Sequence, residues 1–446
     1  MEPVEECVDV AVVGAGLGGL AAAIALGRAG LRVVVVRPAG VHATYGESLD
    51  WEANRLLDAL GLPLGALVQA DQATWKRGAV AAYAPSGQRM RIGFAWPYRA
   101  LMRMVGRAEP TAHVDMVAAR AALEQVAAGQ GVRFMPQRVR RVECADGRVQ
   151  RLLLSDSSAP LIARHYIDAS GRARVLARAL GVTYDPVGAR KVAFSARAAH
   201  AYDGLGTQIF LDDQAPYVRW AWGIHLGAAR VDVGVALLAS EAAALRRSGE
   251  PLAGALLSLA HRHEGLRYLG ADWAEAASAH ACTYQDDIGA RLHGPNWWLV
   301  GEAAAVIDPI LSGGVTFALR SGLAAARAIG SRDARLAVRL ERKLRMHART
   351  TNTLVEHLWY RSTLRERGLA RNVLAILVPN FNLNHLHARR WASSRVGVCL
   401  LSGLHRALDW SIPRFARLVR DPSRAGAPLA LGAGGDASLR SEQVQP

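Results

Sequence analysis

Lysine is nearly missing from this chain of 446 residues: of its 54 basic residues only Lys76, Lys191 and Lys343 are lysines, and the others are arginines. Such a chain keeps lysine where a compact ammonium that can lose its proton is needed, so each of the three is worth inspecting. Cysteine is also scarce. Cys7, Cys144, Cys282 and Cys399 stand far apart, with no CxxC pair and no Cys/His cluster. That spacing points to neither a disulfide framework nor a metal site, and it fits a reducing compartment. Long apolar runs are lacking too. The most apolar stretch, residues 8–26, is broken by glycines and is too short to span a bilayer. No basic region followed by an apolar one opens the chain, so a soluble, cytoplasmic protein without a transmembrane segment is expected.

What the chain does have is a globular balance, 51% apolar and 21% charged residues, in a length that suggests two or three interleaved domains. Its net charge of +16 marks a surface that attracts anions, although a solvated arginine-rich face explains most of it. No fixed-period repeat occurs, which sets solenoids and propellers aside.

Residues 8–13 (VDVAVV) read as a buried strand, 19–29 as a helix of small residues and 32–36 (RVVVV) as a second buried strand. Between the first two lies Gly14-Ala-Gly16-Leu-Gly-Gly19. In that context the loop lets backbone N–H groups approach a pyrophosphate at the positive end of a helix. The acidic residue expected after the second strand, to hold ribose hydroxyls, is replaced by Arg37. An arginine there also accepts a 2′-phosphate, which keeps an NADP enzyme open. Further on, residues 115–129 read as a helix and 132–168 as a small sheet with a turn at Asp146-Gly147, ending in Asp168-Ala-Ser-Gly171. Alternating runs at 217–226 and 229–238 mark an antiparallel sheet, 296–301 a buried strand and 313–329 a helix.

A second constellation decides the cofactor. Residues 296–315 run from a strand into Gly301-Glu302, then Asp308-Pro309, then Ser312-Gly313-Gly314 at a helix start. This resembles the FAD enzymes related to p-hydroxybenzoate hydroxylase. The resemblance implies that Glu302, in place of the usual Asp, holds the ribityl chain. It also implies that the helix near Gly313 presents its dipole to the flavin ring. Three more pieces, Gly46-Glu47-Ser48, Lys76 in Ala-Thr-Trp-Lys-Arg-Gly, and Trp220-Ala-Trp222-Gly-Ile224, look like the flavin-dependent halogenase family. That family carries a GES-type loop, a catalytic lysine and a WxWxIP motif. Two positions depart from it: His225 stands for the proline, and Leu311 for the glutamate of tryptophan halogenases. Gly46-Glu-Ser-Leu-Asp50-Trp51 and Asp308-Pro-Ile-Leu-Ser312 are more similar to a sister branch, the flavoprotein monooxygenases of tryptophylquinone cofactor biogenesis.

The resemblance implies an α/β fold: a Rossmann-like FAD-binding domain from residues 1–75, 111–189 and 291–330, and an interleaved antiparallel β substrate domain from 76–110 and 190–290. A C-terminal helical region (331–420) and a disordered tail (421–446) complete it. It implies FAD, bound by Gly14, Gly16, Gly19, Arg37, Glu47, Ser48, Asp168, Glu302, Asp308, Ser312, Gly313 and Gly314, with no metal. The expected activity is hydroxylation, through a C4a-hydroperoxyflavin, of an electron-rich aromatic group such as an indole carried by a peptide or protein. The alternatives are a halogenase using Lys76, a prenyl-chain reductase, and a non-catalytic FAD-bound assembly protein. Lys76 is the candidate catalytic residue, and Asp50, Trp51, Trp220, Trp222, Ile224 and His225 are the candidate substrate pocket, with Trp96-Pro97-Tyr98 as a further aromatic stretch. Electrons would come from a separate flavin reductase or NAD(P)H. No nucleic acid is expected as a partner. Residues 331–371 hold 11 basic and 4 acidic residues, a basic face that could dock an acidic protein.

Overall fold

The computed structural model describes residues 8–40, 46–62, 64–76, 78–84, 89–93, 111–157, 159–201, 206–212, 217–247, 280–331 and 333–360, and short pieces of 396–410. Trp96-Pro97-Tyr98, most of the C-terminal region and the tail lie outside them. No described helix is long and apolar enough to cross a membrane.

The chain folds first as strand β1 (Val8–Val13), helix α1 (Leu17–Arg28) and strand β2 (Val33–Val36). All four valines of β2 are buried, as a parallel strand covered on both faces requires. The two strands sit at the centre of a five-stranded parallel sheet, in the order Trp297–Leu299, Ala163–Asp168, β1, β2, Arg133–Met135. Chain segments almost 300 residues apart therefore share one Rossmann-like sheet. The turn at Asp146-Gly147, both with positive φ, joins the hairpin Val139–Ala145 and Arg148–Leu154.

A second sheet of seven strands runs His280–Tyr284, Lys191–Ala199, Arg230–Leu238, Arg219–His225, Thr207–Asp212, Gly78–Ala84, Arg89–Gly93. Its pairings are antiparallel, as the alternating pattern predicts, except that Thr207–Asp212 lies parallel to Gly78–Ala84. Strand alternation puts Trp220, Trp222 and Ile224 on one face. The indole of Trp222 lies across Gly234, where a Cβ would come within 2.1 Å of the ring.

Two contacts lock these parts together. Helix α1 packs on the helix Gly313–Ser331 through glycine: a Cβ on Gly322 would sit 2.0 Å from the Gly18 carbonyl oxygen, and one on Gly18 would sit 2.9 Å from that of Ala318. The other is a buried polar cluster. Lys191 Nζ donates to Asp286 Oδ2 at 2.6 Å and lies 3.0 Å from Asp308 Oδ2, with all three side chains sealed from water. Burial works against the charge of Lys191, but Asp308 and Asp286 outweigh it and raise its pKa. The Tyr360 hydroxyl donates to Asp308 and accepts from Trp220 Nε1 at 3.0 Å, and Tyr217 donates to Glu356 at 2.7 Å. The segment Glu356–Tyr360, at the end of the helix Ala334–Val355, is thereby tied to the seven-stranded sheet at Trp220 and to Asp308, just before the helix Gly313–Ser331.

Gly322→Ala should destabilise the protein by about 3 kcal/mol, because backbone cannot yield as a side chain does. Gly330→Ala in the same helix, where a Cβ meets nothing within 4 Å, should be neutral or slightly stabilising. Paired denaturant titrations check both. Lys191→Met leaves buried carboxylates without their cation and should cost about 3–5 kcal/mol in the same assay.

Candidate FAD and substrate site

A cavity of about 700 Å³ opens between the C-terminal edge of the parallel sheet and one face of the seven-stranded sheet, a volume suited to a cofactor with a small substrate. Its first wall is the loop after β1. Gly14 has φ +102°, and a Cβ there would come within 2.4 Å of the Ala169 carbonyl oxygen, so no other residue fits. A Cβ on Gly19 would strike the Gly14 carbonyl oxygen at 2.6 Å. Gly16 caps α1 with no side-chain hydrogen bond, and the first turn holds no acidic residue. The N–H groups of that turn are left to an external anion.

Arg37 follows β2 and lines the cavity. Its Nη2 donates to Glu124 at 2.9 Å, while its Nε is buried without a partner. An unsatisfied guanidinium nitrogen beside an uncapped helix start is what a dinucleotide's ribose and phosphates would satisfy. Glu302, half exposed and 3.5 Å from Arg172 Nε, lines the cavity next to Gly171, and Ser312 and Gly314 line its other end at the start of the helix Gly313–Ser331. Glu47 and Ser48 close the same end, where Ser312 Oγ donates to Ser48 Oγ at 3.0 Å. These residues fit an extended FAD from adenosine to flavin.

The remaining carboxylates do other work. Asp168 is fully buried and accepts from the N–H groups of Ser170, Leu176 and Ala177, fixing the turn and short helix after its strand. Asp308 holds the Ile310 N–H and belongs to the Lys191 cluster. Asp50 caps the helix Trp51–Leu60 through the Ala53 N–H and accepts from Thr316 Oγ1 at 2.5 Å. None of the three lines the cavity, nor does Gly313. Of Trp51 only the backbone is described.

On the substrate side, Trp220, Trp222 and Ile224 line the cavity together with Ala193, Ser195, Thr207 and Ile209. The two indoles tilt against each other with centroids 4.9 Å apart. His225 points away: it is buried against His200, with Nε2 and Nδ1 3.1 Å apart, and it does not reach the lining. Lys76 also stays behind the wall. Its strand, Ala73–Lys76, pairs with Thr111–Val114, and Nζ donates to Ser48 Oγ at 2.9 Å and to the Leu49 carbonyl at 3.3 Å. Burial lowers its pKa to about 8, against the pull of Asp50. His113 stands on the paired strand, 2.8 Å from Thr207 Oγ1, and burial, then Lys76, drive its pKa well below the ordinary value. Sequence reading missed His113, Thr207 and Asp232, the last a buried aspartate in the cavity wall. All three sit in unremarkable alternating strands, where only the pairing reveals which face they occupy.

Residues 9–193 match the family model for FAD dependent oxidoreductases. The protein is an FAD-dependent oxidoreductase. At the sequence level this oxidoreductase is 27% identical over 334 residues to a menaquinone reductase of Mycolicibacterium smegmatis, covering 72% of this chain and 76% of that protein. In fold it resembles the flavin-dependent brominase Bmp2, at 18% identity and a TM-score of 0.64, covering 94% of this chain and all of that one. It also resembles the peptidyl tryptophan dihydroxylase QhpG, at 22% identity and a TM-score of 0.57, covering 79% and 75%.

The depressed Lys76 gives the oxidoreductase a pH signature. From about pH 8 to the ordinary lysine value of 10.5, the unfolded chain binds a proton that the native state lacks. Stability should therefore rise with pH through that window. Lys76→Met should flatten the rise, as read by denaturant titrations at pH 7.5 and about 10; an unchanged slope refutes the assignment.

Proposed function

We propose that this oxidoreductase is a monooxygenase that hydroxylates an electron-rich aromatic ring, such as the indole of a tryptophan presented by a peptide or protein. The observation that carries this reading is the contrast between the two sides of the cavity end. The aromatic face of Trp220, Trp222 and Ile224 lines it, whereas the Lys76 ammonium is turned to Ser48 and the Leu49 carbonyl. A lysine that positions a halogen species would have to reach the substrate, and position 311 carries leucine. Bound FAD supplies the activation of dioxygen. The chain's own residues hold an aromatic ring against the tilted indoles, exclude water with an apolar wall, and place the Ser48 and Ser312 hydroxyls at the helix start. Electrons are assigned to a separate flavin reductase or NAD(P)H. The arginine-rich helix Ala334–Val355 supports docking of an acidic carrier of the substrate.

A second reading is favoured by the menaquinone reductase relative: reduction of a quinone or its prenyl chain in the same apolar cavity. Oxygen labelling separates the two. Reduced holoenzyme given a tryptophan-containing peptide, bromide and 18O-labelled dioxygen should yield product carrying the label and no bromine, and Lys76→Ala should keep that activity. Bromination lost in Lys76→Ala would establish the halogenase. Anaerobic reoxidation of the flavin by menaquinone, without labelled product in air, would establish the reductase.

A further inference from the structure

Two side chains at the Arg37 end of the cavity carry polar atoms that the fold leaves open. Arg37 follows β2, and Gln137 follows the strand Arg133–Met135, which pairs with β2 in parallel. One backbone oxygen holds the two residues side by side: the Met135 carbonyl accepts from the Arg37 N–H at 3.0 Å and from the Gln137 N–H at 2.9 Å. Both residues line the cavity. Among the described residues, Arg37 Nε and Gln137 Oε1 are buried with no hydrogen-bond partner. Buried polar atoms left so oppose folding, and a ligand that satisfies them recovers the loss. One of the two is a donor and the other an acceptor. A single hydroxyl, which accepts and donates at once, answers both.

An arginine after the second strand could instead take a 2′-phosphate. The surroundings of Arg37 argue against that. Its Nη2 donates to Glu124 at 2.9 Å, its Nη1 donates to the Pro38 carbonyl at 3.4 Å, and its guanidinium lies 5.9 Å from the centre of the Phe134 ring. A phosphate is best held by two parallel N–H bonds of the fork, and only Nε remains to offer one. Glu124 stands on the helix Met116–Gly129 and also lies 3.9 Å from Nε of Arg120, another arginine of the cavity wall. One carboxylate thus offsets both arginines and places a negative charge one guanidinium away from the open Nε. Arg138 lines this end too, but it is exposed, and water screens its charge.

We propose that Gln137 and Arg37 together read a ribose hydroxyl of the adenosine half of FAD. Glu124, acting through Arg37, is then a specificity residue that turns away 2′-phosphorylated nucleotides. The work of the acidic residue missing after β2 is divided among three side chains. Gln137 accepts from the hydroxyl, Arg37 Nε donates to it, and Glu124 supplies the negative charge from a separate helix. NADPH offered as a reductant would leave this end to FAD. The inference rests on the FAD assignment and is independent of what the flavin oxidises.

The test uses the full-length chain, with nucleotides competing against FAD and the quenching of flavin fluorescence as the readout. ADP should compete about fivefold better than 2′-deoxy-ADP. ADP-ribose should compete about tenfold better than its 2′-phosphate. Gln137→Leu should abolish the first preference, and Gln137→Glu, which keeps an acceptor, should retain it. Glu124→Ala, which frees the fork of Arg37, should abolish the second. Each preference is a ratio of two ligands on the same protein, so a general loss of stability does not imitate either change. A wild type that binds 2′-deoxy-ADP as well as ADP, or a Gln137→Leu variant that keeps the preference, overturns the ribose reading. A 2′-phosphate bound as tightly as ADP-ribose by the wild type, or rejected undiminished by Glu124→Ala, overturns the role of Glu124.

Discussion

The site depends on a backbone-to-backbone contact between two helices. Where α1 crosses the helix Gly313–Ser331, Gly18 and Gly322 leave no room for a Cβ on either side. The Ser321 hydroxyl reinforces the junction by accepting from the Gly301 N–H at 2.9 Å. The approach is closer than side chains would permit, and its geometric result is that two helix starts open on the same cavity. One serves the end beside Gly14 and Arg37, the other the end beside Ser48 and Ser312. An extended ligand with a charged middle and a ring at one end is thus accommodated by two helix dipoles, with Arg37 beside the first.

Much of this was legible in the sequence. Gly14–Gly19 between two valine-rich runs, and Gly301 to Gly314 after a tryptophan-rich one, carry strong local constraints that survive any tertiary arrangement. Strand alternation likewise put Trp220, Trp222 and Ile224 on one face. The aspartates were the hard case. Asp50, Asp168 and Asp308 stand in motif strings beside glycines and serines, and a carboxylate that caps a turn has the same sequence signature as one that binds a ligand. Only the hydrogen bonds distinguish them. Asp232 failed in the opposite way: it sits in Arg-Val-Asp-Val-Gly-Val, a plain alternating strand. Its place at the wall follows from a register across four strands that no local pattern encodes.

The scarcity of lysine pointed to the right positions without distinguishing their roles. Lys191 is a fixed ammonium wedged between Asp286 and Asp308, with Tyr360 4.5 Å beneath it. Lys76 is poised to lose its proton, because no carboxylate touches it and its partners are a hydroxyl and a carbonyl. The same side chain is structural in one place and labile in the other according to how many anions share its burial.

The same rule explains the chamber. Arg37, Arg120, Arg138 and Arg172 line part of the cavity. Toward the seven-stranded sheet its wall is mostly apolar, with the hydroxyls of Ser48, Ser195, Thr207 and Ser312 and the carboxyls of Glu47 and Asp232 among its polar points. Folding alone would favour hydrocarbon at each, since burying a carboxyl without an opposite charge opposes the native state. Beneath the wall the chain meets that cost with Lys191, and at the wall Glu47 and Asp232 accept from the Gly46 and Trp222 N–H groups while Arg197 opposes the effect of burial. Burial raises both carboxyls above the ordinary range, and their N–H donors oppose that rise, so the wall keeps polar points whose charge is set by the same contest that governs the lysines.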